Sequence, residues 1–189
     1  MTTYEARLAS ATKSIFSSIL GIVIAEGTIP SADTELVDLY PEAMDVPEGE
    51  GPKANRHAFP ANREITLRQL ISNTSGYMKP GEEPGKVFHY QTYGMNVLTH
   101  AIAKAHGLYT IEDPEGSPGL KVLIDEKLKE PIGATWSYYL ANFDLHSEAR
   151  IHIFGYYEGV NATARDMARL GWLWRNEGRW QDRQVIPAA

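Results

Sequence analysis

Two residues near the start of the chain, Ser10 and Lys13, have the types and the spacing of a catalytic pair. Residues three apart share one face of a helix, so a helix beginning near Ser10 would bring the Lys13 amine to the serine hydroxyl. A serine hydroxyl is a weak nucleophile until a neighbouring group takes its proton, and a lysine in apolar surroundings can take it. The helix N-terminus would add positive potential and N–H groups for an oxyanion. These features predict a serine nucleophile.

The Ser-x-x-Lys pair is a weak signal by itself. Ordinary residue frequencies produce about one such match by chance in a chain of this size. A solvated lysine in the first turn of an ordinary helix would have the same sequence. The prediction therefore depends on support from the rest of the chain.

The elements that would position this pair are predicted from apolar spacing and from residues that start and stop helices. An apolar run over residues 15–25 predicts a buried first helix, with Ser10 as its N-cap and Gly27 just after its end. Trp172 and Trp174 are predicted to lie in the core. The other predicted elements are helices over residues 66–72, 91–105, 120–129 and 163–176, strands over 136–140, 151–157 and 183–186, and a Pro- and Gly-rich loop over 41–52.

Composition restricts the class of protein. Of the 189 residues, 43% are hydrophobic and 22% are charged, which is typical of a folded globular chain. The net charge of −6 and the scattered basic residues argue against nucleic-acid binding. The sequence has no cysteine, which excludes disulfides and thiolate metal sites, and its six histidines lack a metal-binding spacing. We therefore expect no metal.

The apolar run has two alternative interpretations, a buried helix and the core of a secretory signal. It is too short to cross a membrane as a helix. Glu5 precedes it, and Glu26 follows Ala25 where a signal would have a small-residue cleavage site. We favour the buried helix, and we expect no membrane association and, for the chain as it stands, a cytoplasmic location.

Motif-like segments follow one another in a fixed order along nearly all of the chain. They are residues 7–14 around Ser10, 65–77 (ITLRQLISNTSGY), 88–94 (FHYQTYG), 130–133 (EPIG), 161–171 (NATARDMARLG), 176–180 (NEGRW) and 185–187 (VIP). Together they resemble the β-lactamase-related serine hydrolases, which include class C β-lactamases, penicillin-binding proteins and esterases. The resemblance implies an α+β fold of the β-lactamase/transpeptidase type, in which a helical part packs on an antiparallel sheet and the active site lies between them.

The resemblance assigns roles to two further residues. Tyr90 matches the tyrosine of the family's Tyr-x-Asn motif, which implies a general base for Ser10 and an acid for the leaving group. Lys13 would then stabilise the phenolate. Thr92 takes the place of the motif's asparagine, and we assign it to substrate binding. A hydroxyl reaches less far than a carboxamide, so the change favours esters and non-lactam amides over β-lactams.

The resemblance also implies that the chain is the central part of the family fold, a single truncated domain over residues 1–189. The sequence contains no Lys-Thr-Gly, the family's third motif. We expect mostly the helical part, with most of the sheet absent. The first helix should then expose an apolar face, covered by self-association into a homo-oligomer or by a rearranged core.

Two hypotheses for function follow. The first is a serine hydrolase that cleaves small esters or amides through an acyl-enzyme on Ser10, assisted by Lys13 and Tyr90, with no cofactor. The alternative is a folded but catalytically impaired fragment of the same family, possessing at most an interaction role. Members of this family are often periplasmic or secreted, so the resemblance leaves the compartment open.

Overall fold

The computed structural model describes residues 4–51, 54–141 and 151–188. Its helices and strands follow in the order β1 (Ala6–Arg7), α1 (Thr12–Ala25), α2 (Leu36–Leu39), α3 (Leu67–Ile71), α4 (Thr92–Ala105), α5 (Lys121–Ile124), β2 (Ser137–Ala141), α6 (Ile151–Phe154), β3 (Tyr157–Ala162), α7 (Ala164–Arg175), β4 (Arg179–Trp180) and β5 (Arg183–Gln184). Three 3-10 turns cover Ala9–Ala11, Pro41–Met44 and Pro60–Glu64, and a π-helical turn over Asp125–Lys129 extends α5. The chain is helix-rich with small antiparallel sheets, which confirms the expected partial α+β fold.

The larger sheet places the nucleophile segment against the rest of the molecule. Its strand order is β1-β3-β2, and both pairings are antiparallel, with Ala6 opposite Ala162 and Ser137 opposite Asn161. The central strand β3 is almost entirely buried. Gly159 lets β2 approach it closely, because a Cβ at this position would lie 2.1 Å from Cζ of Tyr139. The residues just after β1 therefore lie beside β3.

The first helix, α1, is held by burial of its apolar side chains. Ile15, Phe16, Ile19 and Val23 are at most 1% exposed, and α4 and α5 both pack against the helix. The helix ends before Gly27, whose φ of +79° is the left-handed conformation expected just after a helix. The prediction of an uncovered apolar face on this helix is wrong for these residues, because other segments of the same chain cover them.

Side-chain caps begin two of the helices that the sequence predicts, α3 and α7. Thr66 caps α3 by accepting a hydrogen bond from the Gln69 backbone N–H, and the Gln69 side-chain oxygen in turn accepts one from the Thr66 backbone N–H. Thr163 and Asp166 form the same reciprocal arrangement at the start of α7. The predicted helices over 91–105 and 120–129 are also confirmed.

Several predicted details are wrong. Ser10 lies in a 3-10 turn rather than at the N-cap of α1, which is Ala11, because the chain leaving β1 makes one tight turn before the helix begins. The predicted strand over 151–157 contains helix α6, and the strand begins at Tyr157. Tertiary contacts account for α6, since the Tyr40 hydroxyl and the His100 ring hydrogen-bond to carbonyls of Ile153 and Phe154, respectively.

Three further differences concern exposure and loops. Trp172 and Trp174 are 60% and 39% exposed rather than in the core, because Leu170 and Leu173 occupy the buried face of α7. The predicted loop over 41–52 begins with the 3-10 turn Pro41–Met44, and its residue 52 lies outside the described residues.

The cap of α7 yields a prediction about stability. Asp166 is fully buried and accepts hydrogen bonds from the Thr163 hydroxyl (2.7 Å), the Thr135 backbone N–H (3.0 Å) and Arg169 (3.2 Å). Removing this acceptor leaves buried donors unpaired. We therefore expect Asp166→Ala to lower the free energy of unfolding in urea by about 2–3 kcal/mol at pH 7. The control is Asp45→Ala, at an exposed aspartate, which should change it by less than about 0.5 kcal/mol.

The stability lost in Asp166→Ala should depend on pH. Burial raises the pKa of Asp166, but the hydrogen bonds from Thr163, Thr135 and Arg169 outweigh burial and hold the pKa below its usual 3.8. A carboxylate with a lowered pKa stabilises the fold above its unfolded pKa and loses this effect as the pH falls through its folded pKa. The difference between wild type and Asp166→Ala should therefore shrink below pH 3.8. A difference that stays constant down to acidic pH would contradict this account.

Candidate active site

The nucleophile candidate Ser10 is exposed at the tight turn between β1 and α1. The turn is held by β3, since the Leu8 backbone N–H donates to the Val160 carbonyl at 2.8 Å. Ala9, directly before the serine, has a φ of +46°, which is uncommon for a residue with a side chain. The tight turn leaves the Ser10 side chain open to solvent at the start of α1.

Lys13 lies in the first turn of α1 and contacts Ser10. Its Nζ donates a hydrogen bond to Ser10 Oγ at 3.2 Å. The same Nζ is 5.0 Å from the ring centre of Tyr90 and 4.9 Å from that of Tyr157. The ammonium group therefore lies beside the serine hydroxyl and within cation–π distance of two tyrosine rings.

Tyr90 reaches this position from the segment that precedes α4. The flanking residues hold that segment, because the His89 backbone N–H donates to the Asn73 carbonyl at 2.7 Å and the Gln91 N–H donates to Asn73 Oδ1 at 3.2 Å. Asn73 accepts both bonds with a φ of +58°, a conformation that asparagine tolerates better than most residues. Asn73 thus anchors the Tyr90 segment on both sides of the tyrosine.

The surroundings of Tyr90 favour its ionised form. Burial raises the pKa of this phenol, but hydrogen bonds from Lys13 and Ser10 and the positive charge of Lys13 outweigh burial, so the pKa lies below its usual 10. A phenol with a lowered pKa is a better-populated base near neutral pH. Ser10, Lys13 and Tyr90, three residues singled out from the sequence, are therefore brought together.

Thr92, the fourth predicted residue, occupies the first position of α4 and is partly buried. Within the described residues its side chain makes no hydrogen bond to Ser10, Lys13 or Tyr90. The structure adds a residue that the sequence did not single out, Tyr157, whose ring faces Lys13. It lies at the start of β3, and no local motif marked it.

A second polar cluster supports the Tyr90 segment. Glu82 Oε1 accepts a hydrogen bond from Lys79 Nζ at 3.3 Å and lies 3.1 Å from His89 Nδ1. The Lys79 side chain is only 2% exposed. Burial lowers its pKa, and the hydrogen bond and charge of Glu82 oppose that decrease. Glu82 thus pairs with a buried cation and with the residue next to Tyr90.

We expect Glu82→Gln to destabilise the fold, because it leaves the Lys79 ammonium buried without an anion. The expected loss is about 2–3 kcal/mol in urea unfolding, reduced from that of a fully buried pair because Glu82 is 25% exposed. Lys79→Met, which removes the buried charge itself, should cost less. Glu83→Gln at an exposed neighbour is the matched control and should be near neutral. Equal effects of Glu82→Gln and Glu83→Gln would refute the role of this pair.

Comparison with known proteins decides the family. The family model described as Beta-lactamase matches residues 6–188, which is nearly the whole chain. The chain belongs to the beta-lactamase family. No match was found among curated protein sequences.

Solved structures agree with the fold of this beta-lactamase family chain. A structure named "Putative 6-aminohexanoate-dimer hydrolase from Bacillus anthracis" has a TM-score of 0.66 at 20% identity, covering 98% of this chain and 51% of that one. A structure named "putative beta-lactamase from Bacteroides dorei DSM 17855" has a TM-score of 0.69 at 20% identity, covering 100% and 55%. A D-stereospecific amidohydrolase from Streptomyces sp. has a TM-score of 0.64 at 16% identity, covering 99% and 64%.

These likenesses show the fold of beta-lactamase and penicillin-binding-protein-like serine hydrolases. The beta-lactamase family chain spans about half the length of the first two structures. Within the described residues, no helix is both long and apolar enough to span a membrane. The same residues hold no group of three or more His, Asp or Glu side chains that could bind a metal ion.

Proposed function

We propose that this chain is a serine hydrolase that cleaves small esters or amides through an acyl-enzyme on Ser10. The observation that carries the proposal is the arrangement around Lys13, whose Nζ lies 3.2 Å from Ser10 Oγ and 5.0 Å from the Tyr90 ring centre. A nucleophile within hydrogen-bond reach of a cation, and a phenol with a lowered pKa beside both, have the groups that acyl transfer needs.

In the first half of the reaction, the Tyr90 phenolate takes the proton of Ser10 while Oγ bonds to the carbonyl carbon of the substrate. The tetrahedral intermediate collapses as the bond to the leaving alcohol or amine breaks. Tyr90 gives its proton to that leaving group. The products are an ester between the acyl group and Ser10, a free alcohol or amine, and a regenerated phenolate.

In the second half, a water molecule gives a proton to Tyr90 and attacks the acyl carbon. Ser10 Oγ leaves and recovers the proton from Tyr90, so the acid product is released and the site is restored. Lys13 keeps its proton throughout and offsets the negative charge of the phenolate and of the oxyanion. The Ser10 backbone N–H, close to the N-terminus of α1, is the expected oxyanion donor.

The substrate preference depends on Thr92. Two residues after Tyr90, Thr92 stands at the position of the asparagine in the Tyr-x-Asn motif, whose carboxamide we take as the group that binds substrate amides. Because the hydroxyl is shorter, we propose small esters and non-lactam amides as substrates rather than β-lactams. A p-nitrophenyl ester should then be hydrolysed in preference to the β-lactam nitrocefin.

The test is the intact mass of the chain after reaction with a fluorophosphonate probe, followed by peptide mapping. One adduct per chain on Ser10 is the expected result. No adduct, under conditions that label a full-length family member, would overturn the proposal. A single adduct on another serine would also overturn it.

The alternative is a folded but catalytically impaired member of the family. One observation favours it: the Tyr90 side chain is 50% exposed, and solvent screens the attraction between Lys13 and a phenolate. In that case the chain would unfold cooperatively, like a native domain, but would not react with the probe. Self-association measured by analytical ultracentrifugation would then indicate an interaction role.

A further inference from the structure

The side chain of Tyr157 connects the central strand β3 to the nucleophile turn and to α1. It is 1% exposed, and its hydroxyl donates a hydrogen bond to the Ala9 carbonyl at 2.9 Å. Its ring centre is 4.9 Å from Lys13 Nζ. The ring also packs edge-on against Phe16 at 5.7 Å, with an interplanar angle of 71°. One buried side chain therefore contacts Ala9, the residue before Ser10, and Lys13, the residue that hydrogen-bonds to Ser10.

We propose that Tyr157 is a positioning residue of the Ser10 site, with its hydroxyl orienting the Ala9–Ser10 peptide and its ring holding the Lys13 ammonium beside Ser10 and Tyr90. This inference rests on the proposed hydrolase function. It goes beyond that function because it adds a further residue, on strand β3, to the three residues Ser10, Lys13 and Tyr90 that the proposed function uses.

The hydroxyl acts through the peptide bond. A trans peptide is planar, so the Ala9 carbonyl and the Ser10 N–H belong to one rigid unit and point in opposite directions. The hydrogen bond to the carbonyl therefore also determines the direction of the Ser10 N–H, the expected oxyanion donor. Ala9 has a φ of +46°, which is unfavourable for alanine, so the turn needs such an external contact to keep its conformation.

The ring acts on the cation. Lys13 Nζ lies about equally far from the ring centres of Tyr90 and Tyr157, at 5.0 and 4.9 Å. The face of an aromatic ring attracts a cation, and the contact with Phe16 keeps the Tyr157 ring in place. The buried ring on one side thus restrains a flexible side chain that would otherwise extend into solvent, and leaves its ammonium next to the Tyr90 hydroxyl.

The surroundings of Tyr157 favour its neutral form, as a hydrogen-bond donor requires. The titratable groups around it are Lys13 from α1, Tyr90 from the segment before α4 and Tyr139 from β2. Burial raises the pKa of Tyr157, which the nearby tyrosines reinforce and the hydroxyl of Thr12 partly opposes. Tyr157 therefore stays a neutral hydrogen-bond donor at the pH values at which Tyr90 ionises.

The experiment compares Tyr157→Phe, which keeps the ring, with Tyr157→Leu, which removes both ring and hydroxyl. Tyr156→Phe is the control, since that hydroxyl bonds to Glu115. The rate of fluorophosphonate labelling is measured from pH 6 to pH 10. The labelling rate should rise with pH as Tyr90 ionises. In Tyr157→Phe this rate should be lower by about tenfold or more, as for a displaced oxyanion donor, and the midpoint of its rise with pH should be unchanged. In Tyr157→Leu the labelling rate should be lower still, and the midpoint of its rise should move to higher pH.

The midpoint of the rise in labelling rate moves in Tyr157→Leu because this rise reports the ionisation of Tyr90. Without the ring, Lys13 is held less well, the phenolate loses part of its stabilisation, and the pKa of Tyr90 rises. Ultraviolet titration of tyrosine ionisation gives the same information without any reaction. The transition that disappears in Tyr90→Phe should shift to higher pH in Tyr157→Leu and stay in place in Tyr157→Phe.

Three results would overturn the inference. They are wild-type labelling rates in Tyr157→Phe, an unchanged Tyr90 transition in Tyr157→Leu, and rate losses no larger than the loss of folded protein measured by thermal unfolding. If wild-type protein does not react with the probe, the proposed function fails. The ultraviolet titration still decides, in that case, whether Tyr157 holds Lys13 beside Tyr90.

Discussion

Ser10→Ala should abolish the fluorophosphonate adduct and lower ester hydrolysis by about 10⁴–10⁶-fold. Alanine has no atom that can bond to the acyl carbon, so the covalent route is closed and only general positioning of water is left. We expect the fold to survive, because Ser10 is exposed and its side-chain hydrogen bonds are with Lys13 and Tyr90, two residues of the same surface site. The measurement is the p-nitrophenyl ester rate, together with intact mass after labelling.

A matched control separates the loss of the nucleophile from a general effect of removing a serine. Ser17 is also exposed and lies on α1, the helix that Ser10 precedes. Ser17→Ala should label and turn over like the wild type. If Ser10→Ala kept more than a few per cent of the wild-type rate, the activity would come from another residue, and the assignment of Ser10 would be wrong.

Tyr90→Phe should lower the labelling rate and the ester rate by about 10²–10⁴-fold, the usual effect of losing a general base. Phenylalanine keeps a ring for Lys13, whose Nζ lies 5.0 Å from the Tyr90 ring centre, so the loss would be chemical rather than structural. Tyr156→Phe removes a tyrosine hydroxyl that bonds to Glu115 and should have no such effect.

The pH profile tests the same residue independently. Because Lys13 and Ser10 outweigh burial and lower the pKa of Tyr90, its phenolate forms at a lower pH than that of a free tyrosine. Below the pKa, the wild-type rate should fall about tenfold for each pH unit, since only the phenolate accepts the serine proton. This part of the pH–rate profile, the fall in rate at low pH, should be missing in Tyr90→Phe. A fall in rate with the same midpoint in Tyr90→Phe would mean that a group other than Tyr90 ionises.

Local interactions explain most of what was predicted correctly. Helices α3 and α7 were predicted close to their observed ranges, and the caps that begin them, at Thr66 and Thr163, each involve a partner only three residues later. The Ser10–Lys13 contact has the same spacing and is present in the structure. The missed helix α6 has the opposite property, since it is held by Tyr40 and His100, which lie far from it in the chain.

The sequence by itself indicated the family, through motifs in a fixed order along the chain, and the positions of the long helices, because apolar spacing and caps act over a few residues. Only the tertiary structure decided what surrounds Lys13. Tyr90 and Tyr157 come from segments widely separated in sequence, and β3 joins the start of the chain near Ala6 to Ala162. Such contacts form only when loop closure and core packing bring distant segments together, and no local pattern records which side chains will meet.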